Sequence, residues 1–392
     1  MRTRVAGAAV ADATEKGAAP LFRGAMKIAQ IAPLAESVPP QLYGGTERVV
    51  SYLTEELVRQ GHQVTLFASG DSRTAAELVP CASKALRLDP AVKDQVPHHL
   101  VMLDRVRRRA AEFDVLHFHI DLFHCPLFRD IADRTVTTLH GRLDLPDLVP
   151  FYSAFPQAPL VSISDHQRRP MPPVNWVGRV HHGLPPDLLR FNARPDPGYL
   201  AFLGRISPEK RPDRAIAIAA RAGLRLKIAA KIDAVDRLYW EREIAPLVNA
   251  HHNVEYIGEI ADDQKSDFLG NASALLFPID WPEPFGLVMI EAMACGTPVV
   301  AFRSASVPEV LEDGVTGFIV RNVEEAVAAL ARIPALDRHF IRKVFESRFT
   351  VERMARDYLD IYRSLPGVRP ATDLFLPPPL PLVPEPVLRA AE

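Results

Sequence analysis

The feature that most constrains this chain is the regular alternation of short β-rich runs with helical patterns along nearly its whole length. Lys27–Pro33 reads as a strand, Thr46–Gln60 as an amphipathic helix with Gly61 placed as its C-terminal cap, and Val64–Ser69 as the next strand. Further strands are expected at Asp114–His119, Thr135–Leu139, Leu160–Ile163 and Gly178–His181. A second series follows at Tyr199–Gly204, Leu226–Ala230, Val254–Gly258, Ala274–Phe277, Pro298–Phe302 and Gly317–Val320, with helices such as Pro208–Ala222 and Phe285–Cys295 between. Strands spaced by helices form βαβ units and parallel sheets. Two successive series in 392 residues predict an α/β protein of two doubly wound domains, joined by the Pro- and Gly-rich stretch Gly183–Pro197. Ligands of such sheets bind beyond the carboxyl ends of the strands, so the expected site is the cleft between the domains.

The expected division is a disordered leader over 1–25, a first Rossmann-like domain over 26–190 and a second over 191–347. A C-terminal helix at 348–365, crossing back to the first domain, and a Pro-rich tail at 366–392 complete it. The tail carries eight prolines and reads as an extended segment. The leader lacks the apolar core of a signal peptide. No apolar run reaches the roughly 18 residues of a membrane span. The formal charge is −2, which gives nucleic acid no global attraction. Cys81, Cys125 and Cys295 are odd in number and far apart, so a disulfide framework is not expected and a cytoplasmic location is. Arg105, Arg107, Arg108 and Arg109 lie on an expected helix; a solvated face is the preferred reading, with peripheral contact to the inner face of a membrane kept open.

Four motifs carry chemistry. In Trp281-Pro-Glu283-Pro-Phe285-Gly286-Leu287-Val-Met-Ile-Glu291, a loop runs into a helix expected to start near Phe285. Free N–H groups at Phe285, Gly286 and Leu287 would form an anion site, and Gly286 removes a side chain where a phosphate would approach. Glu283 and Glu291 should lie on the order of 12 Å apart. That suits one carboxylate near a sugar and one near a ribose, and not the roughly 5–10 Å of paired glycosidase acids. In Gly204-Arg205-Ile-Ser-Pro-Glu-Lys210, two cations straddle a strand-to-helix turn and can hold a leaving diphosphate. Tyr43-Gly44-Gly45-Thr46-Glu47 offers close backbone approach before a helix. Thr138-Leu139-His140-Gly141 follows a strand and points a histidine at the cleft. Taken singly, each has an ordinary structural explanation: a first-turn acid, surface cations, a turn, a satisfied histidine. His119 is placed at the cleft as well, and His117 as packing or polar support.

The first motif closely resembles the E-x7-E signature of bacterial family 4 glycosyltransferases, which have the GT-B fold and retain anomeric configuration. The resemblance runs from about Met26 to about Arg363. It implies that Glu283 lies at the donor sugar, Glu291 at the ribose hydroxyls, Arg205 and Lys210 at the diphosphate, and Gly44 and Gly45 facing diphosphate and acceptor. His140 would then lie at the sugar, and the segment at Gly258 would hold the base by backbone contacts. Lys231 is a further candidate at the nucleotide; Ser162, Ser164 and the helix start Ser306–Glu309 are lesser ones. Arg211 departs from the family pattern, which usually has glycine there.

The resulting expectation is transfer of a sugar from a nucleoside-diphosphate sugar, UDP-glucose first, to an acceptor hydroxyl. Its catalytic residues would be His140, Glu283, Arg205 and Lys210, with no essential metal and no cofactor. The alternatives are a GDP-mannose-dependent mannosyltransferase and a non-catalytic sugar-nucleotide sensor. The acceptor and the oligomeric state are left open.

Overall fold

The computed structural model describes residues 24–41, 44–195 and 198–368. Tyr43, nearly all of the leader, most of the Pro-rich tail and two residues of the expected hinge lie outside the described residues.

Two parallel sheets organise the chain. The first contains β1 (Lys27–Ile31), β2 (Gln63–Ser69), β3 (Glu77–Ala82), β4 (Val115–Phe118), β5 (Thr135–Thr138), β6 (Leu160–Ser162) and β7 (Trp176–Arg179) in the order β3-β2-β1-β4-β5-β6-β7. The second contains β8 (Leu200–Arg205), β9 (Leu226–Lys231), β10 (Val254–Gly258), β11 (Ala274–Phe277), β12 (Val299–Phe302) and β13 (Gly317–Val320) in the order β10-β9-β8-β11-β12-β13. Strand order reverses between β1 and β4 and again between β8 and β11, which marks the two switch points. β1 pairs Ile28 with Val64 on one side and with Val115 on the other.

The helices form where the apolar spacing demands them. In α1 (Gly45–Arg59), Val49, Leu53 and Leu57 recur at four-residue intervals and are buried. The helix ends at Gly61, whose φ of 89° only glycine adopts without strain, with its N–H bonded to Val58 O. α2 (Val96–Arg109) carries the arginine run. It is not a free cationic face: Arg105 donates to Pro80 O, while Arg107, Arg108 and Arg109 pair with Asp130, Asp104 and Glu112.

Two expected helices start later than the sequence suggested. The Pro208–Ala222 pattern is broken: a short 3₁₀ turn over Pro208–Lys210 ends at Arg211, which is left-handed at φ 55°, and α3 (Pro212–Ala222) begins after it. Pro212 occupies the first helical position, where its missing N–H costs nothing. The Phe285–Cys295 helix is α5 (Leu287–Ala294), preceded by Gly286 at φ 84°. Between them lies α4 (Asp262–Gly270).

The final helix, α6 (Val351–Ser364), packs against α1 of the first domain. It buries Met354, Ala355, Tyr358, Leu359 and Tyr362 together with Ile28, Leu53 and Val115. Met354 and Leu359 each contribute about 1.5–3 kcal/mol by burial, which helps hold the last helix on a domain it does not follow in sequence. The crossing is close: a side chain at Gly183 would meet Thr350 O at 2.2 Å. All three cysteines are free and buried. No helix among the described residues is long and apolar enough to cross a membrane.

Candidate active site

A cleft of about 490 Å³ lies where the carboxyl ends of the two sheets meet. The loop after β1 brings Gly44 and Gly45, and the loop after β5 brings His140 and Gly141. From the second sheet come Arg205 and Lys210 after β8, Lys231 at the end of β9, the Glu259–Ala261 stretch after β10, and Glu283 to Glu291 after β11.

Local physics explains each placement. A side chain at Gly44 would meet Pro40 Cβ at 2.7 Å, and one at Gly286 would meet Met289 Cε at 2.8 Å and Phe277 Cζ at 3.1 Å. Gly45 stands opposite Leu287, so the starts of α1 and α5 face each other across the cleft. The N–H groups of Gly286, Leu287 and Val288 make no hydrogen bond within the described residues. They form the open positive end of α5. The Phe285 N–H likewise makes no hydrogen bond within the described residues, and the residue lines the cleft. Phe285 is a core residue, 2% exposed and packed against His182 and Phe349.

The two glutamates are held by different cations. Glu283 is paired with Lys210 and accepts the Trp281 indole N–H at 2.8 Å; Lys210 also lies 4.7 Å from the centre of the Trp281 ring. Glu291 is not a solvated helix residue: it is 5% exposed and bonded to Lys265 at 2.8 Å. Lys265 also pairs with Asp262 at 3.1 Å, and Asp262 pairs with Arg48 of α1. That line of charges joins the two domains behind Glu291. Arg48, Asp262 and Lys265 were missed from sequence. Arg205 pairs with Glu209 and lies 3.5 Å from Asp236 and 3.6 Å from Asp233. Lys231 pairs with Asp233 at 3.0 Å. Gly258 ends β10 at φ 81° with open space beside it, but it does not itself line the cleft; Glu259, Ile260 and Ala261 do.

His140 lines the cleft with His182 stacked beside it at 5.4 Å. Burial pushes the His140 imidazole down to about 3, so it is neutral at ordinary pH. His119 is not at the cleft surface. It is 2% exposed and bonded to His140 at 2.8 Å. Ser162 and Ser164 are spent internally, accepting from Arg168 and from Gln167 N–H. Glu309 accepts from the N–H groups of Asp165 and His166, which makes it a tie between the domains.

Arg211 allows a direct test of the local turn. Its left-handed backbone costs about 1–2 kcal/mol relative to glycine. Its half-exposed ion pairs with Asp213 at 2.7 Å and Asp280 at 2.8 Å return about 0.2–1 kcal/mol each. Arg211→Gly is therefore expected to change unfolding free energy by no more than about 1 kcal/mol in a urea titration. A loss well beyond that would mean the ion pairs hold the turn.

Two doubly wound parallel sheets that turn their carboxyl ends to one shared cleft make the GT-B arrangement. The glycosyl transferases group 1 model matches residues 189–339, and the glycosyltransferase family 4 model matches residues 43–181. Together they cover most of both domains. A D-inositol 3-phosphate glycosyltransferase of Saccharomonospora viridis is 27% identical, with 82% of this chain and 89% of that protein covered. A 41.2 kDa protein of the cps region of Klebsiella pneumoniae is 34% identical over 29% of this chain and a third of its own length, 33%. Among solved structures, Anabaena HepE in complex with UDP-glucose superposes with a TM-score of 0.66 at 18% identity, covering 87% of this chain and all of that one, 100%. The chain belongs to the family 4 glycosyltransferases of GT-B fold, and it is a glycosyltransferase enzyme.

Proposed function

We propose that this glycosyltransferase transfers a sugar from a nucleoside-diphosphate sugar, UDP-glucose first, to an acceptor hydroxyl with retention and without a metal ion. The observation that carries the reading is the convergence of Arg205, Lys210 and the open end of α5 between Glu283 and Glu291 in one cleft. A diphosphate between those donors places a sugar at Glu283 and a ribose at Glu291. The complex of the HepE structure supports the choice of UDP-glucose.

In the proposed step the bond from the anomeric carbon to the β-phosphate oxygen breaks, and the acceptor oxygen bonds the same face of that carbon. The acceptor proton passes to the departing phosphate, so the protein need supply no base. Arg205, Lys210 and the N–H groups at α5 stabilise the nucleoside diphosphate as its charge grows. Glu283, held by Trp281 and Lys210, stabilises positive charge at the sugar ring. With His140 neutral, it contributes a hydrogen bond and not a charge.

A panel of nucleotide sugars, read by release of the nucleoside diphosphate without acceptor, tests this. UDP release from UDP-glucose is expected. GDP release from GDP-mannose alone would reassign the donor. Binding without release from any member of the panel would overturn transfer in favour of a sensor.

A further inference from the structure

Charges of alternating sign run from the first domain to the back of Glu291. Arg48 of α1 pairs with Asp262 Oδ2, and Lys265 Nζ lies 3.1 Å from Asp262 Oδ1. The same Nζ lies 2.8 Å from Glu291 Oε1. Asp262 therefore spends one oxygen on each cation, and Lys265 divides its charge between two carboxylates. The side chains of Arg48, Lys265 and Glu291 are nearly buried, while Asp262 reaches the rim. Tyr52, one turn along α1, hydrogen-bonds Arg48. Glu291 Oε1 is taken by Lys265. Its Oε2 has no hydrogen-bond partner among the described residues and is not enclosed, and Glu291 lines the cleft.

The charges of Arg48, Asp262, Lys265 and Glu291 sum to zero only with Arg48 present. Burial alone would raise the Asp262 carboxyl, but Lys265 and Arg48 hold it below the usual carboxylate range. Asp262 is therefore ionised at neutral pH and competes for the Lys265 ammonium. With Arg48 in place the ammonium lies nearer Glu291 than Asp262, at 2.8 against 3.1 Å. Without the guanidinium, Asp262 keeps its charge and has Lys265 alone to offset it. Asp262 stands three residues earlier on the same helix, so the ammonium can turn toward it with little movement. Glu291 Oε1 then loses its donor. A terminal carboxylate torsion is broad unless a partner fixes it, and Oε2 would no longer meet a ligand hydroxyl in one place. Arg48 belongs to the first domain, and Lys265 and Glu291 to the second. The arrangement is complete only where the two domains meet.

We propose that Arg48 is a positioning residue for nucleotide recognition: from the first domain it satisfies Asp262, which leaves Lys265 to hold Glu291 with Oε2 turned to accept a hydrogen bond from a ribose hydroxyl. That the hydroxyl belongs to a donor ribose rests on the function proposed above.

The test is calorimetric binding of UDP and 2′,3′-dideoxy-UDP, and of GDP and 2′,3′-dideoxy-GDP, to the full-length protein. A hydrogen bond to a charged group corresponds to roughly 10–150-fold in affinity. The unsubstituted protein is expected to prefer the nucleotide that keeps its hydroxyls by a factor in that range. Arg48→Met keeps an apolar stem without the charge. It is expected to cut the preference to a few-fold and to leave the affinity for the dideoxy form nearly as it was. Arg48→Gln takes its place if Arg48→Met fails to fold. Adding Asp262→Asn to either variant is expected to restore the preference, because the amide no longer competes for the ammonium. An Arg48 that served only packing, or only touched the nucleotide, would not be rescued in this way. An undiminished preference in the Arg48 variants, or no recovery on adding Asp262→Asn, overturns the proposal. If neither UDP nor GDP binds the unsubstituted protein, the function proposed above falls and this inference with it. If one binds and its preference survives in the Arg48 variants, this inference falls alone.

Discussion

Acidification from about pH 7.5 to about pH 5.5 is expected to unfold the first domain while the second stays folded, because four wholly enclosed histidines, His117, His119, His124 and His182, must remain neutral in the native state. Burial is the leading cause at each: it pushes His124 down to about 3 and the other three well below the usual range. In the unfolded chain the same rings titrate near 6.5. Below that value the unfolded state binds more protons than the native one, so stability falls as pH falls. The contribution is complete above about pH 6.5 and is lost progressively toward the folded values. One unit below 6.5 each ring costs about 1.4 kcal/mol, so four cost about 5–6 kcal/mol. That is a large part of the 5–15 kcal/mol or so that typically holds a domain. Asp121, which burial raises to about 6, takes up a proton in the native state over the same range and offsets part of the loss, with Glu36 and Glu47 shifted in the same direction. The second domain buries no histidine to this degree. Amide exchange should therefore show β1, β4 and β5 losing protection at the lower pH while β8 and β11 keep theirs. Equal protection in both sheets at both pH values would show that the buried imidazoles accept protons without unfolding.

Those histidines also show where sequence reading stops. The order of strands and helices, the two sheets and the cleft were legible because apolar period and turn residues are local signals. Gly44, Gly286, Arg205, Lys210, Glu283 and Glu291 could be singled out because they sit beside strand ends, and all six line the cleft. The strand Glu77–Ala82 was not seen. It is an edge strand with Pro80 inside it, and proline within a short run reads as an interruption. Arg211 looked helical because nothing in an arginine announces a left-handed backbone; only Asp213 and Asp280, one of them far along the chain, account for its position. Arg48, Asp262 and Lys265 were not singled out, because their pairing across α1 and α4 exists only in the folded chain. Thr138, Tyr358 and Tyr362 gave no sign that they order His117 and His119, since α6 returns to the first domain only in three dimensions. The illegible part is the polar support behind the site, which has no local pattern to betray it.

Replacing Arg205 by alanine is expected to lower turnover by roughly 10²–10³-fold, the loss typical of removing one donor that stabilises transition-state charge. The local charges add to that loss. Arg205 ends β8 among three carboxylates, Glu209, Asp233 and Asp236, and Lys231 pairs with Asp233. Removing the guanidinium therefore takes away a donor and also leaves acidic groups turned toward the place where a diphosphate would sit. Both donor binding and the step that builds charge on the leaving phosphate should suffer, so KM should rise as kcat falls. Arg205→Lys keeps one charge but loses the planar fork, and its turnover should fall between the two. Stability should respond less than activity, because the side chain is 27% exposed and belongs to neither hydrophobic cluster of its domain. Lys210→Ala should differ in kind. It also removes the partner of Glu283, so the loss should extend to the sugar end of the site. Nucleoside-diphosphate release and glycosyl transfer by the three variants, with melting temperatures alongside, separate these effects. Turnover near the unsubstituted value in Arg205→Ala would remove this residue from the leaving-group site and leave Lys210 and the start of α5 to carry the charge alone.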